Sequence, residues 1–371
     1  MSLKVLVAPD KFKGTLTAYA AAQAIARGWK RKRPGDSLEL LPMTDGGDGF
    51  GAVMSHLFKA QPQRVKTVNA AHRPRVATWW WDAHTKTAIV ESVQAIGQAM
   101  LPPGKFHPFD LDTFGLGKLL QAAQAKGAKR ILIGIGGSAT NDGGFGLARA
   151  MGWEFLDAKQ KPILRWTELH RLVEIRPPHL REFGSITVAV DVRNPFLGAH
   201  GATRVYGPQK GLSTEDFPQA EKCLRRLATV AHRHFGCDFA KLPGAGAAGG
   251  LGFGLLAFLG AKPEPGFDLF ARHAKLNRHL QEADLVITGE GAIDRSTLMG
   301  KGTGEIAQRC RARKIPCLGL AGYLAPDIRC NKLFREVRAL NNLTTEQQAK
   351  ANPAHWLERL AELAARDLVV A

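Results

Sequence analysis

The sequence predicts an α/β protein made of two α/β domains, a Rossmann-like parallel-sheet domain with a second, mixed-sheet domain inserted into it. Strand-length apolar runs alternate with helix-length amphipathic stretches at both ends of the chain. A central stretch instead holds three β-type runs with no helix-length segment between them. At 371 residues the chain also exceeds the size at which one hydrophobic core usually keeps growing.

The first strand covers Lys4 to Ala8 and is followed by a helix over Leu16 to Lys32. A strand over Leu38 to Leu41 then leads through Asp45-Gly-Gly-Asp-Gly-Phe-Gly51 into another helix, giving a βαβα order. Arg64 to Val68, Val76 to Trp81 and Thr87 to Val90 are short runs separated by turn residues, which predicts antiparallel hairpins. Alternation returns with a helix over Thr113 to Lys126, a strand over Arg130 to Ile133, a helix from Phe145 and a strand over Ile186 to Val190. A polar-faced helix spans 216 to 235. Beyond a glycine-rich segment at 244 to 254 come the strand Leu285 to Thr288, a helix at 301 to 313, the strand Cys317 to Leu320 and a terminal helix near 354 to 368. The resulting domains are 1–62 with 240–371, and 63–239.

Gly244 to Ala261 carries no charged residue, but its glycines make it a poor membrane span and predict a buried loop leading into a core helix. The 51 Lys and Arg against 33 Asp and Glu give a net charge of +18, which favours an anionic partner. Part of that excess is the run Arg27-Gly-Trp-Lys-Arg-Lys-Arg33, read as a solvated helix end with cations near its C-terminus. No nucleic-acid-binding motif is present. Five cysteines without CxxC spacing read as reduced thiols rather than disulfides or structural zinc, and the N-terminus has no signal-peptide pattern. The expected location is the cytoplasm, with no membrane partner. The histidines fit no metal or catalytic motif and are read as structural or surface residues.

In an open α/β sheet, ligands sit beyond the carboxyl ends of the strands. Those ends carry Asp10-Lys-Phe-Lys-Gly14, Asp45-Gly-Gly-Asp48, the Ser138/Asn141/Asp142 loop, Asp191-Val-Arg-Asn-Pro195 and Gly289-Glu-Gly291. Any one of them could be only a turn, since Asp, Asn and Gly supply side-chain caps and left-handed backbone. Five together point to a site handling a metal-bound phosphate and a polar substrate. The Walker pattern is absent, because Gly300-Lys301 is followed by glycine. Gly134-Ile-Gly-Gly-Ser-Ala139 fits GxGxxA after a strand, but it sets Asp142 close to where a pyrophosphate would lie. A NAD-dependent dehydrogenase is therefore the lesser reading.

With their flanks, these segments resemble the bacterial glycerate kinases of the first type over nearly the whole chain. The matching stretches are Ala8 to Gly14, Pro42 to Gly49, Gly134 to Gly144, Asp191 to Gly198, Tyr206 to Gly211, Pro243 to Gly252 and Asp284 to Gly291, in that order. The resemblance implies two α/β domains with the active site in a cleft between them. It implies transfer of the γ-phosphoryl group of ATP to D-glycerate, usually giving 2-phosphoglycerate, with Mg²⁺. Such a transfer needs charge neutralisation, in-line positioning and an acceptor for the hydroxyl proton. On that basis Asp191, Lys13 and Asp10 are the catalytic candidates, with Asp191 assigned as the base and Lys13 as an anion contact. The spacing itself leaves open which carboxylate is the base. Asp45 and Glu290 are assigned to the metal, and Gly289, Gly291, Asp294 and Lys301 to the nucleotide. Ser138, Asn141, Asp142, Asn194 and Lys210 are assigned to the substrate, the glycines admitting a small ligand and Asp142 accepting a hydroxyl hydrogen.

The chain departs from the usual family pattern at His107-Pro-Phe109 with Asp112-Thr-Phe-Gly115, at Ala292 in place of an arginine, at Gly302-Thr-Gly304 and at Gly322-Tyr-Leu-Ala-Pro326. Kinases of a related small hydroxy acid and ligand-binding members without turnover are the alternatives these departures raise. A homodimer is an admissible assembly.

Overall fold

The computed structural model describes residues 2–178, 184–298, 302–326 and 333–369. It divides into two compact units, Met1–Asp45 with Phe267–Ala371, and Gly46–Gly266. The sequence reading drew the boundaries at 62 and 240 instead. The difference at the first boundary comes from the helix Phe50–Phe58, which packs on strands of the second unit: a Cβ at Gly51 would lie 2.0 Å from the Trp80 ring.

In chain order the strands are β1 (Lys4–Pro9), β2 (Ser37–Leu40), β3 (Gln61–Val68), β4 (Pro74–Asp82), β5 (Thr87–Glu91), β6 (Arg130–Gly134), β7 (Glu154–Leu156), β8 (Glu174–Arg176), β9 (Ser185–Ala189), β10 (Lys262–Glu264), β11 (Leu285–Ile293), β12 (Cys317–Leu324) and β13 (Glu336–Ala339). The first unit holds a five-stranded sheet in the order β13-β12-β11-β1-β2, parallel at each pairing. The second holds a six-stranded sheet in the order β10-β9-β6-β5-β4-β3. There β10, β9, β6 and β5 pair in parallel, while β4 and β3 add the antiparallel hairpins expected of residues 64 to 90.

These elements follow from local chemistry. β1 and β5 are almost unbroken apolar runs because both of their faces are covered. The helix Ala18–Lys32 starts at Thr17, whose hydroxyl accepts a hydrogen bond from the Ala20 N–H at 3.1 Å. Its alanine face crosses the helix Pro353–Asp367 so closely that a Cβ at Gly28 would lie 1.9 Å from the Glu358 carbonyl oxygen. The basic run at its end is not merely solvated, since Arg27 and Arg31 pair with Glu358 and Lys32 pairs with Glu362. Part of the positive charge is thus matched within the fold.

Val5, Val7, Ile25, Trp29, Ile287, Leu318 and Leu360 build the first unit's core. The second unit has two clusters. One lies around Val90, Ile131, Ile133 and Leu116, and the other around Phe145, Phe155, Trp166 and Phe253, where Phe196 and Phe253 stack with centroids 4.3 Å apart. Most of the uncharged 244–261 stretch is buried, and left-handed backbone at Ala248, Gly249 and Gly250 leads into the core helix ending at Leu259. Among the described residues no helix is long and apolar enough to cross a membrane. β11 and β12 run on to Ile293 and Leu324, past the ends expected at Thr288 and Leu320, because Glu290, Ala292 and Ile293 keep their register with Ala321, Tyr323 and Leu324.

Candidate active site

In the first unit's sheet β1 lies between β2 and β11, so the chain leaves β1 toward one side and completes the sheet on the other. Such a switch point is where open parallel sheets bind ligands, beyond the strand ends. Three acids gather at this end. Asp10 follows β1, and its N–H donates to the Gly289 carbonyl at 2.8 Å. Asp45 follows β2 through a loop held to β1 by the Met43 N–H donating to the Pro9 carbonyl at 2.9 Å. Glu290 lies on β11 and accepts a hydrogen bond from the Thr297 hydroxyl at 2.8 Å.

Their electrostatics reflect the crowding. Burial, then the Asp45 charge, push the Asp10 carboxyl up to about 8, with Glu290 adding to the effect and Lys11 opposing it. Burial raises Glu290 as well, with Asp294 and Asp45 contributing and hydrogen bonds from Thr297 and Thr303 opposing. Hard oxygen donors whose charges repel one another are a setting that a divalent cation relieves. Among the described residues no group of three or more His, Cys, Asp or Glu is close enough to hold a metal unaided.

Other predicted residues of this unit surround the acids. The helix Gly302–Ala312 begins beside them: a Cβ at Gly302 would lie 3.6 Å from Asp10 Oδ2. Its first turn thus presents a partial positive charge at the acid cluster. Lys301 lies outside the described residues. Lys13 is exposed on a turn closed by the Phe12 N–H donating to the Leu16 carbonyl at 2.9 Å. Gly291 faces that turn, since a Cβ there would lie 3.1 Å from the Lys13 nitrogen. The Asp294 N–H donates to the Thr297 hydroxyl at 3.3 Å. Gly289 serves packing, because a Cβ would lie 2.1 Å from the Leu320 carbonyl oxygen of β12.

The second unit brings the loops after β6 and β9 onto one wall, the 244–250 segment. The Gly143 N–H donates to the Gly249 carbonyl at 3.1 Å, and the Gly246 N–H to the Asn194 carbonyl at 3.0 Å. Lys210 Nζ donates to the Thr140 carbonyl at 2.6 Å and stands beside Gly249. Burial lowers the Lys210 ammonium to about 7, although Asp142 pulls the other way. Asn141 is fully buried; its Nδ2 donates to the Thr203 hydroxyl at 3.1 Å, while its Oδ1 has no hydrogen-bond partner among the described residues. The Ser138 and Thr140 hydroxyls are 2.9 Å apart. Asp191 is exposed at the end of β9, with Oδ1 accepting from the Gly266 N–H at 2.9 Å.

Two of the residues assigned to the substrate are hydrogen-bonded within the protein. Asp142 is fully buried, and its Oδ2 accepts from the Thr113 N–H at 2.9 Å, the Thr113 hydroxyl at 2.7 Å and the Gly146 N–H at 2.9 Å. It organises backbone and leaves no lone pair of that oxygen facing a ligand hydroxyl. The glycines of this loop likewise face protein: a Cβ at Gly136 would lie 2.6 Å from Gly47 Cα, and one at Gly144 2.7 Å from Gly254 Cα. Asn194 is also committed, accepting from the Tyr206 hydroxyl at 2.7 Å and donating to the His200 carbonyl at 2.9 Å. Residues the sequence reading missed are Thr297 and Thr303 beside Glu290, Thr113 under Asp142, and Thr203 beside Asn141. Thr113 and Thr303 lay in segments already marked as unusual.

Strand-end acids at a switch point, with a lysine turn and a helix start beside them, are groups that phosphoryl transfer calls for. A model of the glycerate kinase family matches residues 5–369. The chain is 37% identical over 325 residues to the glycerate kinase of Halalkalibacterium halodurans, covering 86% of this chain and 85% of that one. It is 35% identical over 331 residues to the glycerate 2-kinase of Escherichia coli K12, covering 88% and 87%. A crystal structure described as a glycerate kinase 2 from Salmonella typhimurium LT2 superposes with a TM-score of 0.84 at 32% identity, covering 98% of both chains. This chain belongs to the glycerate kinase family.

Proposed function

We propose that the protein transfers the γ-phosphoryl group of ATP to the 2-hydroxyl of D-glycerate, giving 2-phosphoglycerate and ADP, with Mg²⁺. The observation that carries this reading is the cluster of Asp10, Asp45 and Glu290 at the carboxyl ends of the first unit's central strands, joined to family membership.

Asp45 and Glu290 would hold the ion. When bound, Mg²⁺ neutralises negative charge on the nucleotide's phosphate oxygens. Lys13 and the start of the helix Gly302–Ala312 add positive charge on the nucleotide side. On the acceptor side, Lys210 binds the glycerate carboxylate, while Ser138 and the unpartnered Asn141 Oδ1 meet its hydroxyls. Asp191 takes the hydroxyl proton as the glycerate oxygen attacks the γ-phosphorus, and the bond to the β–γ bridging oxygen breaks with its electron pair leaving on ADP. Asp142 positions the loop that carries Ser138 and Asn141.

The test is ADP release, coupled to a dehydrogenase readout, across glycerate, lactate and tartronate. Glycerate should turn over, and lactate should be rejected by roughly 10²-fold or more because it leaves polar groups of the site unpaired. Asp191→Asn should lower kcat by roughly 10²-fold or more with glycerate binding retained. Equal use of lactate would overturn the substrate assignment, and unchanged turnover in Asp191→Asn would remove Asp191 as the base.

A further inference from the structure

The first unit contains a cavity of about 310 Å³ that the acid cluster does not account for. Phe12, Tyr323, Leu340 and Ala349 supply apolar walls, and Lys13 and Gly291 border it. We propose that this cavity receives the adenine base of the nucleotide, stacked on the Tyr323 ring; the assignment rests on the kinase reading above.

Three observations support that occupant. The volume lies at the small end of pockets that hold ligands, and a mostly apolar lining with a few polar groups is their usual composition. Tyr323 is 48% exposed, and its register partner Ala292 presents only a methyl group beside it. A planar heteroaromatic group would cover that ring and gain stacking whatever its edge pattern. Finally, two residues lining the cavity lie next along the chain to the acid site. Gly291 directly follows Glu290 on β11, and Lys13 stands three positions beyond Asp10 on the turn after β1. An occupant that combines an aromatic plane with an anionic tail could use both the cavity and the Lys13 turn. A nucleoside triphosphate has both parts.

The pocket is tested with Tyr323→Ala, Tyr323→Phe and the filling variant Ala349→Trp. The readouts are kcat and KM for ATP at saturating glycerate, calorimetric binding of adenosine, and inhibition by inorganic tripolyphosphate. Tyr323→Ala and Ala349→Trp should raise KM for ATP and weaken adenosine binding roughly tenfold or more. Tyr323→Phe should keep both near wild type, and tripolyphosphate inhibition should be unchanged in all three. If Tyr323→Ala fails to fold, the phenylalanine and tryptophan variants carry the same comparison. Wild-type turnover with ATP KM and adenosine affinity held within twofold in Ala349→Trp would overturn the pocket while leaving the kinase reading intact. No ADP release by the wild type would sink the kinase reading, and adenosine binding would then decide the pocket alone: binding abolished by Ala349→Trp supports it, and no binding to wild type overturns it.

Discussion

In the loop after β6, Asp142 is fully buried and is answered by the Thr113 N–H, the Thr113 hydroxyl and the Gly146 N–H. Burial and the Asp112 charge still raise the Asp142 carboxyl to about 6, whereas in the turn after β1 burial and the like charges of Asp45 and Glu290 push Asp10 up to about 8. The contrast extends to the glycines. A Cβ on any glycine of the Gly134–Gly144 loop would come within 3 Å of protein atoms, whereas at Gly291, which borders the cavity, the nearest atom is the Lys13 backbone nitrogen at 3.1 Å. Density of glycines and polar residues is therefore a weak guide to chemistry. An acid whose opposed charge is left largely to its neighbours rather than answered by several donors is a better one.

The comparison can be broken at its strongest point. Asp45→Asn and Glu290→Gln should each lower kcat/KM by roughly 10²- to 10³-fold while leaving thermal stability at or above wild type, since each removes one of several repelling charges. A fall in melting temperature without loss of turnover would reverse the assignment. Asp142→Ala should behave in the opposite sense. It strands buried donors and should lower the unfolding free energy by about 3 kcal/mol, read by urea denaturation.

Smaller effects sharpen the same distinction. Gly144→Ala combines φ of +74° with a contact to Gly254 Cα at 2.7 Å, and should destabilise by about 2 kcal/mol or more. Gly14→Ala shares the left-handed backbone but meets nothing within 4 Å, so only the strain of about 1 kcal/mol should appear. Lys210 supplies a pH test. With its ammonium lowered to about 7 by burial, the free enzyme loses that charge as pH rises through neutrality, and KM for glycerate should climb by up to about tenfold per pH unit. Lys210→Arg should flatten the profile between pH 7 and 9, because a guanidinium stays charged there.

Much of the architecture was legible locally. The buried runs of β5 and β6, the three short runs that form β3 to β5, and the strand-end positions of Asp10, Asp45 and Glu290 all follow from periodicity and turn residues. The boundary near residue 45 was not, because it depends on the helix Phe50–Phe58 meeting Trp80. The basic end of the first helix read as solvated because Glu358 and Glu362, which answer it, lie more than 300 positions away.

Alternation of apolar and polar residues, together with capping and turn chemistry, acts over a few neighbouring positions, so a chain read in isolation already specifies its strands, helices and the residue types at their ends. Whether Asp142 is satisfied by Thr113, whether Gly144 is filled by Gly254, and whether Glu290 meets Thr297 and Thr303 are matters of contact between segments that only packing brings within a few ångströms. Desolvation, charge repulsion and donor supply act through space rather than along the chain, so the three-dimensional arrangement alone separates acids answered by several donors, such as Asp142, from those set against one another at the strand ends.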